Sequence, residues 1–219
     1  MKRIQFFAIL LFLFSGSYLY AQKTISEGTI TYDIVIHTDN KEPQMADALD
    51  GATTTVYLKG SQSRTEMVSA LGNESTVHDA KSGDAFILKD YSGQKLMITL
   101  TKENWLAKNK KYEGVNFKDE PETKNIAGYN CKKAAATLKD GSTIIVFYAT
   151  DLNVINKDYD HTFKSLPGLP MQYEFSRGKM KFQYTVSKVD FSQVPASKFE
   201  MPKSNYRVMT YDENQKGGK

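Results

Sequence analysis

Thr29-Ile-Thr-Tyr-Asp-Ile-Val-Ile36 decides the fold. Ile30, Tyr32, Ile34 and Ile36 fall on one side of an extended chain, with Thr29, Thr31 and Asp33 on the other. A period of two marks a strand with one dry face and one wet face. Parallel strands are usually buried on both faces, so the pattern predicts antiparallel pairing. Lys179 to Val186 repeats it: Met180, Phe182, Tyr184 and Val186 share one face, while Lys179, Lys181, Gln183 and Thr185 share the other.

Working outward, strand runs alternate with turn signals. Thr53 to Lys59 and Arg64 to Val68 flank a turn at Gly60-Ser61, and Ser75 to Asp79 and Asp84 to Lys89 flank Ala80 to Gly83. Lys95 to Leu100 follows Tyr91-Ser92-Gly93. Tyr129 to Leu138 and Ser142 to Thr150 meet at Lys139-Asp140-Gly141, and Asp-Gly is a strong hairpin cue because it accepts positive φ. Ile144 to Tyr148 is apolar without a break, which predicts an interior strand. The spacing of the turns fits a meander. Helix signals are few: Thr101 to Ala107 opens on a capping threonine, and Gln44 to Leu49 follows Pro43. Asp151 to Lys164 reads as a polar loop.

In Leu166-Pro167-Gly168-Leu169, proline at the second position and glycine at the third suit a type II turn, the glycine taking positive φ. Pro170 biases Leu169 towards an extended conformation and belongs at the start or edge of the strand over Met171 to Phe175. The corner either serves as a rigid joint or, with Leu166 and Leu169, shapes the mouth of a cavity.

Met1-Lys2-Arg3 is basic, Ile4 to Phe14 is almost wholly apolar, and small residues follow up to Ala21. This is the layout of a secretory signal with cleavage near Ala21, and the apolar run falls short of the ~20 residues of a spanning helix. The expectation is a signal peptide over 1–21, a single β-rich domain over 22–213 and a frayed tail over 214–219, placed in the periplasm or outside the cell without a transmembrane segment in the mature chain. Loss of Lys2 and Arg3 takes the formal charge from +4 to +2. Lysine runs such as Lys108 to Lys111 lack interleaved aromatics, so they read as solvated faces and nucleic acid is not expected. With one cysteine, Cys131, the chain has no internal disulfide framework and depends on packing.

Four segments carry a family resemblance: KNIAGYNCKKA at Lys124 to Ala134, IVFYATDL at Ile145 to Leu152, SLPGLP at Ser165 to Pro170, and VPASKFEMPKSNYRVMTYDE at Val194 to Glu213. In order and spacing they resemble an exported, uncharacterised family named for its GLPGLI motif, and a closely similar exported family of unknown function. The motif differs here by Ser165 in place of glycine and Pro170 in place of isoleucine. The likeness spans roughly the last hundred residues. It implies a mainly β fold, a single open antiparallel half-barrel like that of the LolA and LolB lipoprotein carriers, with one or two short helices. It implies no reaction.

His37, His78 and His161 stand far apart in sequence, and neither HExxH nor CxxC spacing occurs, so no metal site is assigned. No GxSxG elbow and no phosphate loop is present, so no catalytic residue and no cofactor is assigned. Cys131 fits a small buried apolar residue. The 13 tyrosines and 12 phenylalanines are the better clue, because many lie on strand faces that a few short helices must cover. A deficit of cover leaves room for a ligand. The expectation is a non-catalytic envelope protein that binds a hydrophobic ligand, a lipid or lipidated peptide, through Tyr32, Phe86, Leu166, Leu169, Phe182 and Tyr184. An envelope interaction protein recruiting a chain along an exposed edge beside Pro170, and a hydrolase with a constellation hidden in linear order, are the alternatives.

Overall fold

A computed structural model describes residues 22–38, 49–177 and 180–217. The expected signal peptide and nearly all of the helix expected over Gln44 to Leu49 lie outside these residues. Six strands form the meander that the alternating runs predict: β2 (Glu27–Thr38), β3 (Thr53–Lys59), β4 (Gln62–Ser69), β5 (Gly72–Asp79), β6 (Ala85–Tyr91) and β7 (Gln94–Leu100). Short β1 (Lys23–Ile25) precedes them. Then come β8 (Lys118–Ile126), β9 (Tyr129–Thr137), β10 (Thr143–Ala149), β11 (Leu152–Val154), β12 (Leu169–Arg177), β13 (Met180–Asp190) and β14 (Arg207–Thr210).

The main sheet runs β14-β7-β6-β5-β4-β3-β2-β13-β12-β10-β9-β8 among the described residues. The long ladder from Met180↔Thr38 to Asp190↔Thr29 joins the two wings, interrupted by a bulge between Val186 and Lys188. The two edges, β14 and β8, do not pair with each other, so the curved sheet stays an open half-barrel. Antiparallel pairing dominates, with two exceptions that the sequence reading lacks: β14 lies parallel to β7, and β1 lies parallel to β11. Both are short strands, and their partners are supplied by distant parts of the chain.

Three further differences have physical causes. Asp151 to Lys164, read as a loop, contains β11 and two 3-10 turns, Lys157–Tyr159 and His161–Phe163. Leu152, Val154 and Phe163 are buried and tie this strap to the core. Gly168 does not take positive φ, so the type II turn is replaced by another corner. Glycine serves there because a Cβ would stand 2.1 Å from the Ala149 carbonyl oxygen and 2.8 Å from its carbon. Pro170 is the second residue of its strand, opposite Tyr148, but β12 lies between β10 and β13 rather than at an edge. An edge beside Pro170 is therefore not available for strand addition. One of the two edges, β8, is exposed over almost its whole length and broken by a bulge between Glu120 and Thr123, a pattern that discourages further pairing.

The hairpin at Asp140-Gly141 forms as expected, with Gly141 at φ +84° and the Asp140 carboxylate accepting from the Ser142 N–H at 2.9 Å. Helix α1 (Lys102–Asn109) starts at Thr101. The Thr101 hydroxyl accepts from the Asn104 N–H, and the Asn104 side chain accepts in return from the Thr101 N–H, a reciprocal cap. A second helix, α2 (Tyr211–Gly217), covers part of the stretch read as a frayed tail. Its first turn is held by Glu213, whose carboxylate accepts from the Thr210 N–H at 2.7 Å.

Residues directly opposite one another on antiparallel strands share a face. Tyr32, Thr54, Met67, Glu74 and Lys89 therefore line up across the concave side. Thr29, Tyr57, Arg64, Val77 and Phe86 line up across the convex side. The convex side of β5–β7 is covered by the segment after β13, whose Val194 and Phe199 pack on Val77, Phe86, Leu88 and Met97. Arg64 pins that cover by donating to the Lys198 carbonyl at 3.2 Å and to the Ser75 hydroxyl at 2.8 Å.

Candidate ligand-binding site

On the C-terminal wing, alternation in β12 and β13 carries Tyr173, Phe175, Phe182 and Tyr184 to the concave side, in register as Tyr173↔Tyr184 and Phe175↔Phe182. Tyr173 and Tyr184 stack with centroids 4.7 Å apart and planes 15° apart, and Phe175 meets both edge-on. Phe163, from the strap, closes on Tyr173 at 4.7 Å and on Phe117 at 5.9 Å. Beneath them the buried Tyr32 hydroxyl donates to the Pro170 carbonyl at 2.9 Å. Burial drives the phenols of Tyr32, Tyr159 and Tyr173 far above their ordinary range, so these groups are neutral. Burial also raises the Asp160 carboxyl, with the Thr162 N–H acting in the opposite direction.

The six residues expected to face a ligand separate into three groups. Tyr32, Leu166 and Leu169 are wholly buried members of the main core. Phe86 sits on the convex side, under Val194 and Phe199, and cannot share a space with Tyr32. Phe182 and Tyr184 are half-buried on the concave side, and Tyr184 lines an open groove. That groove, of about 220 Å³, runs between the wings, with Tyr173, Phe175 and Tyr184 on one wall and Thr54, Thr65, Met67, Glu74 and Thr76 on the other. The alternation of Tyr173 and Phe175 is visible in the sequence. The threonines of the facing wall carry no apolar period and become recognisable only through the registers Thr65↔Thr76 and Thr54↔Met67.

A larger groove, of about 680 Å³, opens between the C-terminal half of α1, the turn after it and the strap. Leu106, Ala107, Tyr112 and Val115 supply apolar lining, and His161 and Lys164 stand at its side. Leu106 is 52% exposed. The adjoining Trp105 is buried against Ala85, Ile87, Ile98 and Leu100, which seats α1 over the concave face of β6 and β7.

Trp105 also brings two histidines together. Its ring stacks on His78 at 4.4 Å, and its Nε1–H donates to Nε2 of His161 at 3.2 Å. Accepting this bond requires an unprotonated Nε2. His78 Nδ1 is buried with no hydrogen-bond partner among the described residues. Burial lowers the pKa of both imidazoles; the neighbouring His161 lowers His78 further, and Asp158 acts upward on both. No cluster suited to a metal ion occurs among the described residues. Cys131 is completely buried on β9, and burial pushes its thiol up to about 11, the behaviour of a packing residue.

No protein-family model and no curated protein sequence matches the chain. Among solved structures, an uncharacterized conserved protein from Thermus thermophilus is similar over 84% of this chain and 90% of its own, at 11% identity and a TM-score of 0.52. PNGF-II is similar at 15% identity and a TM-score of 0.48, and the chain spans about a third of its length, 33% against 88% of this chain. A LolA superfamily protein from Nitrosomonas europaea is similar over 80% of this chain and 90% of its own, at 9% identity and a TM-score of 0.36. At 11% identity the likeness to the Thermus thermophilus protein is one of fold alone. The chain is mainly β, an open curved sheet with few helices among the described residues. No helix among the described residues is long and apolar enough to cross a membrane.

Proposed function

We propose that the protein binds a hydrophobic ligand, a lipid or a lipidated peptide, without catalysis, and acts as a carrier or sensor in the cell envelope after export. The observation that carries this reading is the 680 Å³ groove beside α1, whose apolar lining includes the exposed Leu106. Its size falls within the ~300–1,000 Å³ of small-molecule sites, and its composition, apolar with a few polar groups at the side, matches theirs. An acyl chain laid along Leu106, Ala107 and Val115 removes apolar surface from water at about 25 cal/mol per Å². The resemblance of SLPGLP to the GLPGLI motif, and the signal-like residues 1–21, belong to the same proposal.

The test is titration of the folded mature protein with a dansyl-labelled fatty acid, paired with native mass spectrometry of protein taken from its own envelope. Saturable dansyl enhancement, weakened by Leu106→Asp, is expected. No binding by the folded protein and no co-purifying lipid would remove the proposal.

A further inference from the structure

We infer that the smaller groove between the wings is a separate subsite for a polyhydroxylated ring, a sugar, and not an extension of an acyl-chain channel. The two walls are chemically unlike. Tyr184 lines the groove while stacking on Tyr173, and Phe175 stands beside them. The opposite wall is built from Thr65 and Thr76, a directly opposed pair, with Thr54, Met67 and Glu74. Among the described residues no hydrogen bond engages the Thr65 or Thr76 hydroxyl. Glu74 accepts from the Tyr91 hydroxyl at 3.1 Å and lies 3.4 Å from Lys89 Nζ, which leaves lone pairs on the carboxylate for a further donor.

An acyl chain in this space would bury two hydroxyls and a carboxylate against hydrocarbon. Each polar group left unsatisfied costs about 1–3 kcal/mol, more for a charged one. That opposes an apolar occupant. A sugar ring meets both walls: its C–H face lies on the electron-rich face of an aromatic ring, and its hydroxyls both donate to Glu74 and exchange hydrogen bonds with threonine. Size agrees. A volume of 220 Å³ equals the share of roughly seven liquid waters at ~30 Å³ each, room for one six-membered ring with its substituents. The inference is independent of the acyl-binding proposal, since none of the lining residues of the two grooves is shared.

The experiment titrates the folded protein with methyl glycosides of glucose, galactose, mannose and N-acetylglucosamine, followed by NMR. At least one is expected to give saturable shifts. Tyr184→Ala and the Thr65→Val/Thr76→Val pair should each weaken binding about tenfold. Tyr184→Phe, which keeps the ring, should retain it. Far-UV circular dichroism confirms that each variant folds, and dansyl fatty-acid binding should be unchanged in all of them. Octyl β-glucoside below its micelle concentration separates the sources. Binding equal to that of the methyl glycoside indicates a free sugar, and tighter binding that Leu106→Asp returns to the methyl-glycoside level indicates a glycolipid head; both uphold the ring site. Absence of saturable shifts with every glycoside, or binding indifferent to Tyr184→Ala, overturns it. Loss of fatty-acid binding in Tyr184→Ala also overturns it, by making the two grooves one acyl site.

Discussion

The two wings of the half-barrel share one sheet and solve the problem of cover in opposite ways. The C-terminal wing, β9 to β13, fills its own concave side: Tyr173, Phe175 and Tyr184 pack on one another, and the strap brings Phe163 down on them. The N-terminal wing, β3 to β7, is shielded in part by α1 through Trp105, and its middle strands meet the groove with threonines and Glu74. Its apolar residues divide: Phe86, Leu88 and Met97 turn to the convex side under Val194 and Phe199, while Ile87, Ile98 and Leu100 meet Trp105 on the concave side. Aromatic content therefore locates only one wall of the open surface. The rings largely cover each other, and the space between the wings lies where Tyr173, Phe175 and Tyr184 face Thr54, Thr65, Met67, Glu74 and Thr76.

The strongest way to break this contrast is to remove the strap's contact. Phe163 is 3% exposed among Tyr173, Phe175 and Phe117. Phe163→Ala should cost about 3–5 kcal/mol, measured by urea denaturation. A loss below about 1 kcal/mol, the range of peripheral contacts, would mean that the aromatic wall stands without its strap and that the C-terminal wing is as open as the other. Next in size is Gly168→Ala. The obstacle is the Ala149 backbone, not a movable side chain, so the pairing of β10 and β12 must shift. A loss of about 1–3 kcal/mol is expected from the same measurement, and a neutral result would dissolve the rigid corner.

Much of this architecture is legible in the sequence, and the failures have specific causes. The meander β2 to β7 is readable because each run alternates and each short turn carries glycine. The edge strand β8 is not, because both its faces are wet and a strand held by backbone pairing leaves no apolar period. β1, β11 and β14 are three or four residues long and owe their extension to partners far along the chain. Tyr184 is readable as a concave residue, whereas Phe86 is assigned to the wrong side. Alternation fixes parity within a strand, but parity between β2 and β6 passes through the long connection from Thr38 to Thr53, whose geometry the residues do not state. Thr65 and Thr76 look like ordinary solvent positions until the register sets them opposite the tyrosines.

A smaller effect sharpens the contrast at α1. The pKa values of His78 and His161 are lowered by burial from 6.5, their value in the unfolded chain. Below that value the unfolded chain takes up protons that the folded chain resists, so it binds more of them and stability rises with pH. Above the unfolded value neither state is protonated and this contribution is level. Stability should therefore be lost as pH falls through and below 6.5, and the double variant His78→Phe/His161→Gln should flatten that slope, since glutamine keeps an acceptor for the indole N–H. The readout is fluorescence-detected urea denaturation, which reports this position directly because Trp105 is the single tryptophan. An unchanged slope in the double variant would show that α1 is not held through neutral imidazoles.

The smallest expected change is the most informative about the open wing. Replacing Thr65 and Thr76 by valine keeps their branched shape and removes the two hydroxyls. Had these hydroxyls, which engage no hydrogen bond among the described residues, been part of a sealed interior, deleting them would relieve about 1–3 kcal/mol of unsatisfied polar burial each. In an open groove the hydroxyls stay accessible to solvent in the folded chain, so the pair should stay within about 0.5 kcal/mol of the parent on urea denaturation. A clear gain in stability would instead mean that the wings close on each other in solution and that valine fills apolar space there. The contrast between a self-covered wing and a polar, accessible one would then fail, because Tyr184 would be packed against β4 and β5 rather than set across a gap from them.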